Sequence, residues 1–374
     1  MKRKWAILTV STIVLMSAVN STAQAVNTRA IDQVRNKGVL EDSDFQIIDD
    51  FVAEAIQELV DTKDFTSIAK VRAVILSRSS SKVFEDSNQN QYAVQFSESA
   101  YRYISAALKE ASKSMPQDNH GFNTTLNLLI LIDELENLRL AEPALERLND
   151  ENQAIRYWAV HAVTSAGIVK QLNSGKEANI KLATRITEQL KELVEQTCPE
   201  IIALVAEFAA ELDIPEGEDL LLQITDMRIK KYADWTVQNE LPDTDILKAL
   251  YSKMASAGAN TPAIARRFGQ LYSYAIQRYV KGREILTDTQ KQQLASVLVE
   301  TENYCIWKLL GTPQAAIKRA VEQDDYMGLM TEHNSLLGDQ TQPGQLVLKL
   351  NFDYGQNPDG TKRTTPLDLP APPK

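Results

Sequence analysis

The chain of 374 residues is poor in the residues that carry metal and redox chemistry. It has two cysteines, Cys198 and Cys305, and three histidines, His120, His161 and His333, all far apart in sequence. Two cysteines in so long a chain exclude a disulfide framework. With no His-Glu-x-x-His and no Cys-x-x-Cys, the sequence also argues against a histidine- or cysteine-based metal site. Glycine is limited to 14 residues, and no phosphate loop, dinucleotide fingerprint or Gly-x-Ser-x-Gly elbow is present. Accordingly no catalytic, cofactor-binding or metal-binding residue is assigned and no cofactor is expected. Past residue 25 no apolar run approaches the roughly 20 residues of a membrane span. Positive charge is also short. Lys and Arg number 40 against 50 Asp and Glu, a formal net charge of -10, which disfavours nucleic-acid phosphates and anionic membrane surfaces as partners.

The N-terminus is the exception to this acidity. Lys2, Arg3 and Lys4 precede a mostly apolar stretch, residues 5–19, and Ala23 and Ala25 flank Gln24. A basic start, a short apolar core and a small-residue cleavage site are the pattern of a signal peptide over residues 1–25. No cysteine follows the apolar core, so a lipid anchor is not expected. The mature protein is expected to be soluble and exported, to the periplasm or beyond. Export would permit a disulfide, but Cys198 and Cys305 each sit in an apolar stripe, and the expectation is two buried free thiols.

Helical periodicity dominates the remainder. Phe45, Ile48, Val52, Ala55 and Leu59 recur at three- and four-residue steps, as do Ile180, Ala183, Thr187, Leu190 and Val194, and Ile201, Val205, Phe208 and Leu212. Ser43 with Gln46 reads as a capping box ahead of the first run. Thr261 and Pro262 open a further run through Ile264, Phe268, Leu271 and Ala275. Short polar breaks between runs predict antiparallel helix neighbours. Residues 26–118 read as an N-terminal helical segment, 119–337 as a helical array and 338–374 as an extended tail. In that tail Leu346, Leu348, Leu350 and Phe352 alternate as in a strand. Four prolines in residues 366–374 predict a disordered or polyproline-like end.

Residues 140–167 carry the most specific pattern. Residues 140–148 predict a short first helix, 149–152 an acidic turn and 153–168 a second helix. Asp150, Ile155, Arg156, Ala159, Ala162 and Gly167 stand where a HEAT repeat of the short, bacterial, lyase-associated type has its turn Asp, apolar-Arg pair, small residues and terminal Gly. The segment resembles that family over this one unit. The resemblance implies that Asp150 and Arg156 form a structural ladder tying neighbouring turns together. It also implies an all-α fold: a right-handed superhelix or irregular array of antiparallel helix pairs, a HEAT-like solenoid, ending in the extended tail. Such arrays are mostly binding surfaces. The expected function is thus an exported, non-enzymatic binding or scaffold protein with a protein partner. Tyr157, His161 and Thr164, on the face opposite Ile155, Ala159 and Ala162, are the candidate binding face. Tyr101, Tyr103, Tyr272, Tyr274 and Tyr279 could line a groove as well. One alternative is a periplasmic carbohydrate-active enzyme of helical-toroid type with a carboxylate acid/base pair. Another is a self-associating structural component of the cell envelope.

Overall fold

The computed structural model describes residues 27–80, 90–114, 119–195, 198–256 and 260–373. The signal peptide expected over residues 1–25 lies outside the described residues. In chain order the helices are α1 (Arg29–Val34), α2 (Asp42–Asp61), α3 (Phe65–Leu76), α4 (Gln91–Ser114), α5 (Asn119–Leu135), α6 (Ala141–Leu145), α7 (Gln153–Thr164), α8 (Ala166–Leu172), α9 (Glu177–Val194) and α10 (Pro199–Glu211). They continue as α11 (Pro215–Ala233), α12 (Pro242–Met254), α13 (Thr261–Lys281), α14 (Asp288–Thr301), α15 (Trp307–Leu310), α16 (Ala316–Glu322), α17 (Tyr326–Leu337) and α18 (Gln345–Leu350). A 3-10 turn, Leu138–Leu140, precedes α6, and a π-helical turn, Glu302–Ile306, joins α14 to α15. The fold is all-α, with no strand among the described residues.

Local chemistry explains where the helices begin. The capping box of α2 is made by Glu41 and Asp44 rather than by Ser43 and Gln46. Asp44 accepts from the Glu41 amide at 2.9 Å and from Lys37 Nζ at 2.7 Å. A carboxylate held by a lysine outcompetes the neutral pair. Asp64, Asn152, Asn260 and Asp325 cap α3, α7, α13 and α17 through their side chains. Pro199, Pro215, Pro242 and Pro262 stand in first turns, where no amide is missed. Cys198 is the N-cap residue of α10 and is half-buried rather than enclosed. Cys305 is fully buried in the π turn, and burial pushes its thiol up to about 12. Both are free thiols.

Helices pack against neighbours close in chain order. In one row α2 meets α4, α4 meets the 138–145 segment, α8 meets α9, and α9, α11, α13 and α17 follow in succession. In the other row α3, α5, α7, α10, α12, α14 and α16 follow in succession. The apolar stripes read from sequence face the space between rows, except that Ile180 at the start of α9 is exposed. On α10, Ile201, Val205 and Phe208 are buried, each contributing about 1.5–3 kcal/mol through removal from water. A single apolar core runs from Ile31 to Leu369, without a break between α4 and α5.

The 140–167 unit differs in detail from its expectation. Its first helix is only α6, and its second ends at Thr164, where Ser165 is extended at φ -60 and ψ 151. Gly167 thus falls inside α8. It is needed there because a Cβ would stand 2.5 Å from the Glu136 side chain.

The tail departs further. Residues 345–350 form α18 in place of the expected strand, packed against α13, α15 and α17. With no sheet to join, a lone strand would leave its amides unpaired, whereas a helix satisfies them internally. Leu346 and Val347 are buried, while Leu348 is 69% exposed. Beyond α18 the chain has no helix, folds back in a turn bridged between Gln356 and Lys362, and lies against α13 on either side of that turn. Arg266 donates to the Asp353 carbonyl at 2.6 Å and to its carboxylate at 2.9 Å. Phe352 and Tyr354 pack over Gly269, where a Cβ would come within 2.7 Å of the Tyr354 hydroxyl. The proline-rich end, as far as it is described, is docked, with Leu369 only 1% exposed.

Candidate binding surface

Asn152 opens α7 by accepting from the Ala154 amide at 2.9 Å, which sets the register of the residues that follow. One turn on, Arg156 donates to the carbonyls of Asp150 at 2.8 Å and Glu151 at 3.1 Å. Asp150 and Arg156 are thus joined through the main chain and not by a carboxylate fork. The Asp150 carboxylate instead accepts from the Asn152 amide at 2.9 Å.

The outward face of α7 carries an aromatic group. Tyr157 meets Trp158 edge-on at 5.7 Å, and both rings contact His161, at 5.8 Å and 5.2 Å. His161 Nδ1 lies 2.8 Å from Asp133 Oδ1 on α5. Tyr157 and His161 are therefore brought together. Thr164 is turned back, its hydroxyl donating to the Val160 carbonyl at 2.8 Å. Of the other tyrosines, Tyr272, Tyr274 and Tyr279 are core residues of α13. Tyr103 is half-buried, donating to Asp49 at 2.8 Å, and Tyr101 is exposed.

From His161 the charged residues continue along the same row. Glu207 on α10 is exposed, yet enough protein surrounds it for desolvation to raise its pKa, and the charges of Asp245 and Glu211 act in the same direction. Desolvation also raises Asp245 on α12, opposed by Lys248. Among the described residues neither carboxylate makes a hydrogen bond or ion pair. Lys248 Nζ donates to Glu300 on α14 at 3.0 Å and stands 5.5 Å from the Tyr304 ring centre. Lys308 lies 3.8 Å over the same ring, and Tyr251 meets it edge-on at 6.0 Å. The π turn inserts the extra residue that sets Tyr304 outward, 45% exposed, while Cys305 and Ile306 turn inward. The stripe from Asp133 through Tyr157, Trp158, His161, Glu207, Asp245 and Lys248 to Tyr304 crosses consecutive helices of one row. Sequence reasoning placed two of its members. Asp133 and Glu207 are far apart in sequence, and only inter-helix register connects them.

A second polar group, buried and unforeseen, lies where α11, α12 and α13 meet. Arg228 forks onto Asp243 at 2.6 and 2.8 Å, and Tyr232 donates to the same carboxylate at 2.7 Å. Arg278 reaches Glu240 at 3.2 Å and the Val237 carbonyl at 2.8 Å. It also stacks on Trp235 at 5.2 Å. Burial raises the Glu240 pKa, with Arg278 opposing. These pairs clamp the 234–241 loop and bear no open side to a ligand.

Two clefts indent the surface of the N-terminal half. One of about 660 Å³ is lined by Ile56, Val60, Tyr103 and Thr124. The other, about 780 Å³ and more polar, is lined by Ser97, Glu136, Asn137, Lys170 and Gln171. Among the described residues no three His, Cys, Asp or Glu side chains are grouped to hold a metal ion, and no helix is long and apolar enough to cross a membrane. No protein-family model matches the chain, and no curated protein matches it as a relative.

Proposed function

We propose that the chain is an exported binding or scaffold protein. Its helical array is HEAT-like, and the row containing α5, α7, α10, α12 and α14 presents the recognition surface to a protein partner. The observation that carries this reading is the continuous stripe from Asp133 to Tyr304. Packing in chain order supports the array. Rigid aromatic rings flanking charged groups are the usual anchors of protein recognition. The unpaired Glu207 and Asp245 suit a partner with basic side chains, which would lower their pKa values and recover the cost of their crowding. Export rests on the pattern of residues 1–25, and the mass of the mature N-terminus tests it.

The test of binding is affinity capture from the exported fraction by the wild-type chain and by a Tyr157→Ala, Trp158→Ala, Tyr304→Ala variant. A partner retained by the first at low salt, released by raised salt and lost by the second supports the reading. Equal capture by both chains would falsify it. A second reading has one observation in its favour. Glu207 and Asp245 are neighbouring carboxylates, and burial raises Glu207 in the direction that the acid of an acid/base pair requires. Hydrolysis of a glycan panel that Glu207→Gln abolishes would support the carbohydrate-active enzyme instead.

A further inference from the structure

α13 turns its polar side chains onto the main chain of residues 367–370. Gln270 accepts from the Leu367 amide at 2.7 Å and donates to the Leu367 carbonyl at 3.2 Å. Gln277, two turns on, accepts from the Leu369 amide at 2.7 Å and donates to the same Leu367 carbonyl at 3.2 Å. Lys281 donates to the Leu369 carbonyl and, at 2.7 Å, to the Asp368 carboxylate. The Trp235 indole closes the set, donating to the Pro370 carbonyl at 3.0 Å. Only one side chain of the segment is enclosed. Leu369 is 1% exposed, whereas Leu367 is 45% exposed and the Asp368 side chain 86%.

Main-chain bonds for affinity, with one pocket and one charge for selection, are the working parts of an extended-peptide site. We infer that this face of α13 is such a site. It recognises an extended segment with an apolar residue preceded by an acidic one and followed by proline. The chain's own residues 367–370 occupy it in cis, and a partner protein presenting such a segment displaces them.

Three observations carry this. The groove floor is built without the tail: Gln277 donates to Ser273 Oγ at 2.9 Å, Ser273 pairs with His333 Nε2 at 2.8 Å, and His333 Nδ1 pairs with Asn334 at 2.9 Å. The bonds fall on main-chain atoms, which any extended segment supplies. The occupying residues 366–373 belong to no helix, so they can leave without unfolding one. A tethered occupant acts at an effective concentration on the order of millimolar, so the tail masks the groove from weak ligands. The site lies on the other row from the Asp133–Tyr304 stripe and stands whether or not that stripe binds a partner.

The test uses the full chain and a fluorescent peptide with the sequence of residues 364–374. Leu369→Asp expels the tail, so the peptide should bind this variant roughly tenfold or more tighter than the wild type. Adding Gln277→Ala should remove most of that gain. Should Leu369→Asp lose its far-UV helix signal, Leu369→Ser is read by the same criterion. Loss of helix in both makes the tail part of the fold and overturns the proposal, as does equal or absent binding to wild type and variant. Concentration-dependent dimers of the wild type that Leu369→Asp abolishes would assign the groove to a second copy's tail and overturn the partner.

Discussion

The outward stripe of one row and the inner face of α13 are made from the same kinds of residue, yet they end differently. On the stripe, Glu207 and Asp245 stand crowded and unpaired, and Tyr304 is half open to solvent. On α13, Gln270, Ser273, Gln277 and Arg278 are each under 7% exposed and each has a partner. What differs is what lies above. Residues 367–369 return over α13 to bond Gln270 and Gln277, His333 of α17 meets Ser273, and the 234–241 loop meets Arg278, while nothing among the described residues covers the stripe. On α13 these inward polar side chains therefore find partners within the chain. A polar cluster lacking one marks where a partner from outside would add most.

Removing a partner from the covered face should have the largest effect. Arg278→Ala leaves Glu240, which is fully buried, without its counter-ion and unstacks Trp235 from the guanidinium. Stability should fall by about 3–5 kcal/mol, read by denaturant unfolding. An Arg278→Met, Glu240→Leu double variant should recover most of it. A fall below about 1 kcal/mol would mean that water reaches Glu240 and that the contrast between the faces is false. Gly269→Ala should follow, costing about 1–3 kcal/mol through overpacking, because the new methyl would meet the Tyr354 hydroxyl. That hydroxyl is buried without a hydrogen-bond partner among the described residues. Tyr354→Phe should thus relieve the clash in the Gly269→Ala background and cost little alone. Failure of the rescue would place the cost in the helix and not in the tail contact.

Much of the covered region was legible only in part. The stripes through Phe45–Leu59, Ile180–Val194 and Ile201–Leu212 predicted α2, α9 and α10, because one periodicity fitted and one face was buried. Residues 345–352 fit two periods. Leu346, Leu348 and Leu350 alternate, while Leu346, Val347 and Leu350 also share a helical face, and only the absence of a neighbouring strand decides. The tyrosines of α13 read as groove-lining because their cover comes from other elements: Tyr272 donates to the Leu298 carbonyl at 3.1 Å, Tyr279 meets Tyr326 at 5.9 Å, and Tyr274 lies near Asp368. Four prolines read as disorder for the same reason: nothing local shows that Gln270 and Gln277 await a main chain. The stripe failed in another way. His161 was singled out, but Asp133, Glu207 and Lys248 join it only through the register of successive helices.

Acid should test the covered face with a smaller effect. Gln277 donates to Ser273, so the serine proton goes to His333 Nε2, and Nδ1–H faces Asn334. Burial lowers the His333 pKa below its ordinary 6.5; Asn334 and Asp368 oppose this and Lys281 adds to it. The unfolded chain then takes up a proton that the folded chain refuses. Stability should fall as pH drops through about 6.5 and level off below the folded-state value. His333→Gln should be flatter across that window. Thermal melts at successive pH values decide, and a wild-type-to-variant difference that ignores pH would remove His333 from the account.

The smallest stability change belongs to the open face, and its sign is informative. Glu207 has a raised pKa, so the folded state holds its proton more tightly than the unfolded state. The folded chain therefore loses stability as pH rises above the ordinary carboxyl value of 4.5, and the penalty is complete once pH exceeds the raised value. Glu207→Gln removes it. Because the side chain is exposed and solvent screens the charge, the gain should be below about 0.5 kcal/mol. The same substitution takes a negative charge from the surface offered to a basic partner, so capture should weaken and lose part of its salt dependence. A residue kept for packing would lose stability when changed and leave capture alone. Improved stability with weakened capture is the signature of a side chain held in place for binding, and lowered stability with unchanged capture would return Glu207 to the scaffold.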